Sequence, residues 1–283
     1  MSWYTFSGFA DEIDANLSVQ MDVLDSIGIH YLEPRGCGEK NVSLLTSEEA
    51  KEVKKGWDAR GFKVSALGSP IGKVKLDAPL EDDLIVFRRV LETAKIFDTK
   101  YIRVFTCLLP EGEPAAKYRD KVLSRMQAYV DTAKGHDVIL LHENEGGYIY
   151  GQAPENCLDI FESIGSDKLR ATFDAGNFSY AGFDAVKAFD LLKDHIEYIH
   201  VKDAKSDKTI VPPGMGDTDY PTILQKLKDM NRHFFLSMEP HLHSFEGLSS
   251  IDGSSIQLTA NGNRVEKFKM AHGLICDMLK NLK

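Results

Sequence analysis

The feature that most constrains this chain is a rhythm, in which short β-type runs alternate with amphipathic helical stretches. After an aromatic run and residues 7–12, Leu17, Met21 and Leu24 recur at helical spacing until Gly28 stops them, and 29–33 opens a second strand. Thr46 and Glu49 stand at capping-box spacing before a helix with an apolar face of Ala50, Val53 and Trp57, ended by Gly61. Residues 62–67 predict strand three, Leu80, Leu84, Phe87 and Leu91 a helix, and 101–105 strand four. Val122, Met126, Tyr129 and Ala133 mark the next helix, 138–144 strand five, Cys157, Ile160, Phe161 and Ile164 a helix, and 169–174 strand six. A helix from about Asp184, strand seven at 196–202, a helix from about Asp219, strand eight at 233–239 and a last helix through Val265, Ala271, Ile275 and Leu279 complete eight βα units.

Divided among eight units, 283 residues leave about 35 each, enough for a strand, a crossover helix and two short loops. The expected fold is α/β, a single (β/α)8 barrel over 1–283. A doubly wound open sheet is the alternative, but its G-x-G-x-x-G phosphate signature is absent after the first strand. The one long irregular stretch, 241–263, is rich in Ser and Gly and reads as a lid or interface insertion.

Composition excludes some partners. With 43 Asp+Glu against 34 Lys+Arg and a formal charge of −9, the chain lacks the cation excess that tracks nucleic-acid phosphates. No run approaches the ~18 apolar residues of a membrane span, and the start has no basic n-region before an apolar one, so the expectation is a cytoplasmic protein with no membrane partner. Cys37, Cys107, Cys157 and Cys276 lie far apart without C-x-x-C spacing, which suits buried thiols in a reducing compartment.

Barrel strands present catalytic side chains at their C-terminal ends. The ends of strands five to eight read His142-Glu143-Asn144-Glu145, Phe173-Asp174, His200-Val201-Lys202 and Met238-Glu239-Pro240-His241. Alternate residues face the lumen and the helices. Leu169, Ala171 and Phe173 assigned outward leave Asp174 inward; Ile199 and Val201 leave His200 and Lys202 inward; Phe234, Leu236 and Met238 outward leave Glu239 inside. Strand five is apolar on both faces, so parity does not separate His142 from Glu143. One carboxylate at a strand end is commonly just solvated. Glu143, Asp174, His200 and Glu239 converging together is different, because buried like charges without a cation repel. An O₃N donor set suits Mn²⁺, Mg²⁺, Co²⁺ or Zn²⁺, with manganese the first choice.

With these residues in hand, the chain resembles the xylose isomerase-like TIM-barrel superfamily, in its sugar (or sugar phosphate) isomerase/epimerase branch with the ketose 3-epimerases. The segments that carry the resemblance are Gly8-Phe9-Ala10-Asp11-Glu12-Ile13, Gly68-Ser69-Pro70-Ile71-Gly72-Lys73, His142-Glu143-Asn144-Glu145, Phe173-Asp174-Ala175-Gly176-Asn177, His200-Val201-Lys202-Asp203-Ala204, Gly214-Met215-Gly216-Asp217 and Met238-Glu239-Pro240-His241. The resemblance implies that Glu143, Asp174, His200 and Glu239 bind one divalent cation. It also implies that Glu143 and Glu239 flank a carbohydrate and exchange its proton through a cis-enediolate. Epimerisation and aldose–ketose isomerisation both follow from that chemistry, and association of identical chains is left open.

Two departures matter. Asn177 stands where family epimerases often have His; an amide still bonds a sugar hydroxyl but does not titrate. The superfamily's three-zinc nucleases need an Asp-x-His pair after strand seven, where this chain has Asp207-Lys208-Thr209. Lys202, Asn177, Arg35, His241 and Lys73 are the expected substrate contacts, each with a duller reading as a solvated charge or a neighbour's partner. His142 and Glu145 are expected to orient ligands. A dehydratase of a cyclic polyol or keto-acid, and a non-catalytic sugar-binding module, are the alternatives on the same scaffold.

Overall fold

The computed structural model describes residues 2–242, 257–258 and 264–283. Eight strands carry the fold: β1 (Tyr4–Gly8), β2 (Tyr31–Leu32), β3 (Lys63–Val64), β4 (Tyr101–Val104), β5 (Ile139–Glu143), β6 (Leu169–Asp174), β7 (Ile196–Val201) and β8 (Phe234–Met238). Six form one parallel ladder in the order β1-β8-β7-β6-β5-β4, and β2 pairs in parallel with β3. Backbone bonds join the two groups into a ring. Leu67 donates to the Tyr101 carbonyl at 2.8 Å and accepts from the Arg103 N–H at 2.9 Å, while Glu33 donates to the Gly8 carbonyl at 2.9 Å. The result is a (β/α)8 barrel. Strand two is shorter than 29–33 and runs into Pro34, which has no N–H to extend a ladder, and strand three reaches Leu67 only as a single bridge.

The outer layer consists of α1 (Leu17–Ser26), α2 (Ser47–Asp58), α3 (Leu80–Phe97), α4 (Arg119–Thr132), α5 (Pro154–Ile164), α6 (Ala175–Tyr180), α7 (Ala185–Leu192), α8 (Tyr220–Asp229) and α9 (Arg264–Lys280). The capping box is formed: Glu49 N donates to Thr46 Oγ1 at 3.3 Å and Thr46 N to Glu49 Oε2 at 2.9 Å. Helix α6 has no counterpart in the sequence reading. Its six residues are too few to show a helical period, and Asp174 caps it by accepting the Asn177 N–H at 2.8 Å.

Two apolar layers position the polar centre. Outside the strands, Phe173 meets Phe178 and Phe189, each at 5.5 Å between ring centroids; burying such a ring contributes about 2 kcal/mol. Inside, Ala66, Tyr101, Leu141 and Tyr198 fill the lower barrel. The Tyr198 hydroxyl shares a hydrogen bond of 2.8 Å with Ser65 Oγ, so this layer stays satisfied. His200, the next inward residue on β7, has its ring 5.8 Å from that of Tyr198, and the ionisable cluster gathers there, toward the C-terminal ends of the strands.

Of the stretch 241–263, the structure describes His241, Leu242 and the pair Gln257–Leu258, which runs parallel to Thr209–Val211 after β7. The expected lid or interface insertion otherwise lies outside the described residues. Among the described residues no helix is long and apolar enough to cross a membrane.

Candidate metal centre

Glu143 ends β5, Asp174 ends β6, His200 lies near the end of β7, and Glu239 follows β8. One ligand atom from each lies within 4.8 Å of the others, and all four residues are buried. Strand register explains the convergence, because Asp174 is directly opposite His200 and Ser237 opposite His200 on its other side. The ambiguity in strand five is resolved by packing. Leu141 joins the inner layer, and Glu143 shares its face, whereas the His142 ring meets Phe161 of α5 at 5.8 Å. His142 therefore sits on the helix side, and the expectation that it orients a ligand is corrected.

The expected substrate contacts divide. The Lys202 ammonium lies 3.0 Å from Asp174 Oδ2 and 3.6 Å from Glu239 Oε2. Arg35 spans Asp11 Oδ2 at 2.8 Å, Glu239 Oε1 at 3.2 Å and His241 Nε2 at 3.3 Å. The backbone N–H of His241 in turn donates to Glu12 Oε2 at 2.9 Å. Glu12, Glu239 and His241 resemble a second cation site, but the Arg35 guanidinium already supplies charge there, 3.7 Å from Glu12 Oε1. Asn177 gives its side-chain N–H to the Asn144 carbonyl at 2.9 Å, tying α6 to the end of β5. Lys73 lies 2.8 Å from Glu145 Oε2 and 4.5 Å from the Phe105 ring centroid.

Three buried groups escaped the sequence reading. Arg103 Nη1 donates to Glu143 Oε2 at 3.0 Å, Glu33 places both oxygens 3.1 and 3.2 Å from His200 Nε2, and Glu12 holds His241. Parity could have found two of them. In β4, Ile102 and Val104 face out, so Arg103 faces in, and Leu32 makes the same argument for Glu33. Phe9 is also part of the site: its ring lies 5.1 Å from that of His200 and beneath the guanidinium carbons of Arg35 and Arg103 at 4.9 and 5.1 Å.

Charge decides what this cluster can hold. Six buried carboxylates, Asp11, Glu12, Glu33, Glu143, Asp174 and Glu239, face three buried cations, Arg35, Arg103 and Lys202. Burial opposes ionisation of Glu143, but His200 and Arg103 outweigh it and hold the group at about 2. Burial likewise opposes charge on Glu239, yet Lys202, His241 and His200 keep it well below the usual range. For Asp174 burial wins, with Glu143 and Glu239 adding to it against Lys202, and the carboxyl is pushed up to about 7. Burial also disfavours charged His200, which Glu33, Glu143 and Glu239 reverse, so its pKa lies well above the ordinary value.

A divalent ion fits these residues. Asp174 Oδ2 and Glu239 Oε2 are buried beside the Lys202 ammonium, and three carboxylates plus one imidazole offer a hard-to-borderline donor set. The added charge would offset the excess of carboxylates and favour ionised Asp174.

Comparison with known proteins agrees with the barrel fold. A curated relative, an uncharacterized protein of Methanocaldococcus jannaschii, is 23% identical over 219 residues, covering 75% of this chain and 71% of that protein. Among solved structures, the IOLI protein with a binding zinc atom superposes with a TM-score of 0.77 at 16% identity, covering 100% of this chain and 99% of that one. A D-allulose 3-epimerase from a Methylomonas species, in complex with D-allulose, gives 0.76 at 12% identity and 98% of both chains. A probable 3-DHS dehydratase of Bacillus anthracis gives 0.70 at 16% identity, covering 95% and 98%. At such identities these likenesses speak for the fold. The sequence model of the xylose isomerase-like TIM barrel matches residues 21–258, most of the barrel and the strand ends that carry Glu143, Asp174, His200 and Glu239, and the chain belongs to that family.

Proposed function

We propose that this protein is a divalent-metal-dependent isomerase or epimerase of a ketose-type sugar, with Glu143 and Glu239 exchanging the substrate proton. The observation that carries the reading is the shared placement of these carboxylates: both approach His200 Nδ1, at 2.8 and 3.2 Å, and both approach Arg103 Nη1, at 3.0 and 3.5 Å. When bound, a divalent ion, manganese for preference, acidifies the C–H beside a substrate carbonyl by polarising that carbonyl and its neighbouring hydroxyl. Glu143 and Glu239 remain ionised beside their cations and so can accept a carbon-bound proton. One carboxylate removes the proton and the other returns one to the opposite face, which inverts the centre; return to the adjacent carbon interconverts ketose and aldose. The Lys202 ammonium, held between Asp174 and Glu239, stands where it can donate to a developing oxyanion. Asn177, Arg35, His241 and Lys73 are the proposed recognition groups.

Dehydration of a cyclic polyol or keto-acid is the second reading, favoured by the likeness to the Bacillus anthracis dehydratase. There the same proton abstraction is followed by loss of a β-hydroxyl. All four cysteines are free, which supports a reducing compartment such as the cytoplasm.

The test is deuterium uptake from D₂O into a panel of ketoses and ketose phosphates with Mn²⁺-loaded protein, read by mass spectrometry. Exchange abolished by chelator, with no loss of water from the product, supports isomerase or epimerase chemistry. A product lighter by one water transfers the assignment to the dehydratase, and ligand-induced stabilisation with no turnover transfers it to a binding module.

A further inference from the structure

The two ring nitrogens of His200 meet different surroundings. Nδ1 faces Glu143 Oε1 at 2.8 Å and Glu239 Oε2 at 3.2 Å. Nε2 faces Glu33, whose two oxygens lie at 3.1 and 3.2 Å. Glu33 belongs to none of the strands that carry the quartet: it follows β2, reaches His200 from across the lumen, and is 0% exposed. Its backbone is fixed by the bond from its N–H to the Gly8 carbonyl and by Pro34 behind it.

We propose that Glu33 is a positioning residue that sets the tautomer of His200, so that Nε2 keeps its proton and Nδ1 is the nitrogen offered to the metal ion. A neutral imidazole has one N–H and one lone pair, and an ionised carboxylate only accepts. Carboxylates face both nitrogens, but a cation held among Glu143, Asp174 and Glu239 would take the lone pair at Nδ1, and the hydrogen then belongs on Nε2, facing Glu33. The carboxylate also locks the ring plane and increases the basicity of the ligating nitrogen. Phe9 and Tyr198 meet the ring edge-on, at 5.1 and 5.8 Å between centroids, and limit its rotation. This inference rests on the quartet being a metal site, and its test separates the two claims.

The experiment uses the full chain with ¹⁵N-labelled histidine, loaded with Zn²⁺ alone, as wild type, Glu33→Gln and Glu33→Ala. Long-range ¹H–¹⁵N correlation spectra report which nitrogen of His200 is protonated, and competition with a chromophoric chelator gives the zinc affinity. The expected wild-type pattern is a protonated Nε2 with a zinc-shifted Nδ1. Glu33→Ala should bind zinc about 10–100-fold more weakly; Glu33→Gln, whose amide oxygen still accepts the N–H without charge, should fall between and keep the tautomer. Asp83→Asn, altering a buried carboxylate bonded to Tyr129, is the control for general loss of stability and should leave zinc affinity unchanged. Zinc on Nε2 in the wild type, or wild-type affinity in both Glu33 variants, overturns the inference while leaving the metal site intact. Absence of stoichiometric zinc in the wild type overturns the site and this inference together.

Discussion

Arg103 and Glu143 stand side by side on neighbouring strands, Nη1 of one 3.0 Å from Oε2 of the other, with both side chains almost wholly buried. The same guanidinium donates to the Gly68 and Ser69 carbonyls at 3.2 and 3.3 Å, so it is held by backbone on one side and holds a carboxylate on the other. Removing it leaves two buried glutamates facing each other, a change that costs about 3–5 kcal/mol when one partner of a buried pair is lost. Arg103→Met should therefore lose about that much stability in urea denaturation with chelator present, and the deficit should shrink when Mn²⁺ is added. Equal stability of variant and wild type without metal would show that this pair is not what holds Glu143 ionised.

Glu239→Gln separates ligation from proton transfer. The amide retains an oxygen that can face an ion but takes up no proton. The variant should bind Mn²⁺ more weakly while losing turnover by orders of magnitude, with Glu143→Gln behaving alike. Titration calorimetry with Mn²⁺ alongside the deuterium-exchange assay measures both. Near-normal exchange in Glu239→Gln would remove that residue from the acid–base role.

The order of strands and the inward set on β6, β7 and β8 were legible because each of these strands has one apolar face. The burial of Leu169, Ala171 and Phe173 leaves only one direction for Asp174. Strand five was not legible, since Leu140 and Leu141 are both fully buried, one against helices and one in the lumen, and two apolar faces carry no parity. Parity turns Glu33 and Arg103 inward but toward no particular partner. Their roles are defined by partners 167 and 40 residues away, and sequence neighbours give no sign of such a pairing. Helix α6 was invisible because its start is specified by Asp174, a residue whose other neighbours already accounted for it.

Asp174 has two tasks, and substitution can divide them. Its Oδ1 caps α6 at Asn177 N, while Oδ2 faces the Lys202 ammonium at 3.0 Å and would be the oxygen left for an ion. Asparagine still caps a helix but carries no charge. In thermal melts at 100 times the dissociation constant, Mn²⁺ should stabilise the wild type by about 2.7 kcal/mol and Asp174→Asn by much less. Asp174→Ala should lose a further ~1 kcal/mol without metal, from the missing cap. Equal Mn²⁺ shifts in wild type and Asp174→Asn would take Asp174 out of the ligand set.

Gly176 permits α6 to lie against the chain after β7. A Cβ there would fall 2.3 Å from the Lys202 carbonyl oxygen, so the helix or the strand end must move to admit it. Gly176→Ala should destabilise by about 1–3 kcal/mol, as overpacking does. It should also weaken Mn²⁺ binding, since the displaced segments carry Asp174 and Lys202. A variant with wild-type melting and Mn²⁺ affinity would mean that the backbone yields there without cost.

His272 on α9 supplies a pH dependence remote from the candidate metal centre. Its ring packs 4.5 Å from that of Phe6 on β1, and burial holds its pKa below the ordinary 6.5. In the unfolded chain the imidazole takes up a proton as pH falls through about 6.5, whereas the folded form takes it up only at lower pH. Between those two values the unfolded state binds more protons, so folding stability rises with pH in that window. The contribution is complete above about 6.5 and is lost as the pH falls to the lowered folded value. His272→Leu removes this dependence and keeps an apolar side chain against Phe6. Urea denaturation at pH 8 and pH 5 should show the free-energy difference between wild type and His272→Leu moving in the variant's favour at the lower pH. A difference that stays constant across that range would mean that the ring is protonated as readily in the folded protein as in the unfolded chain.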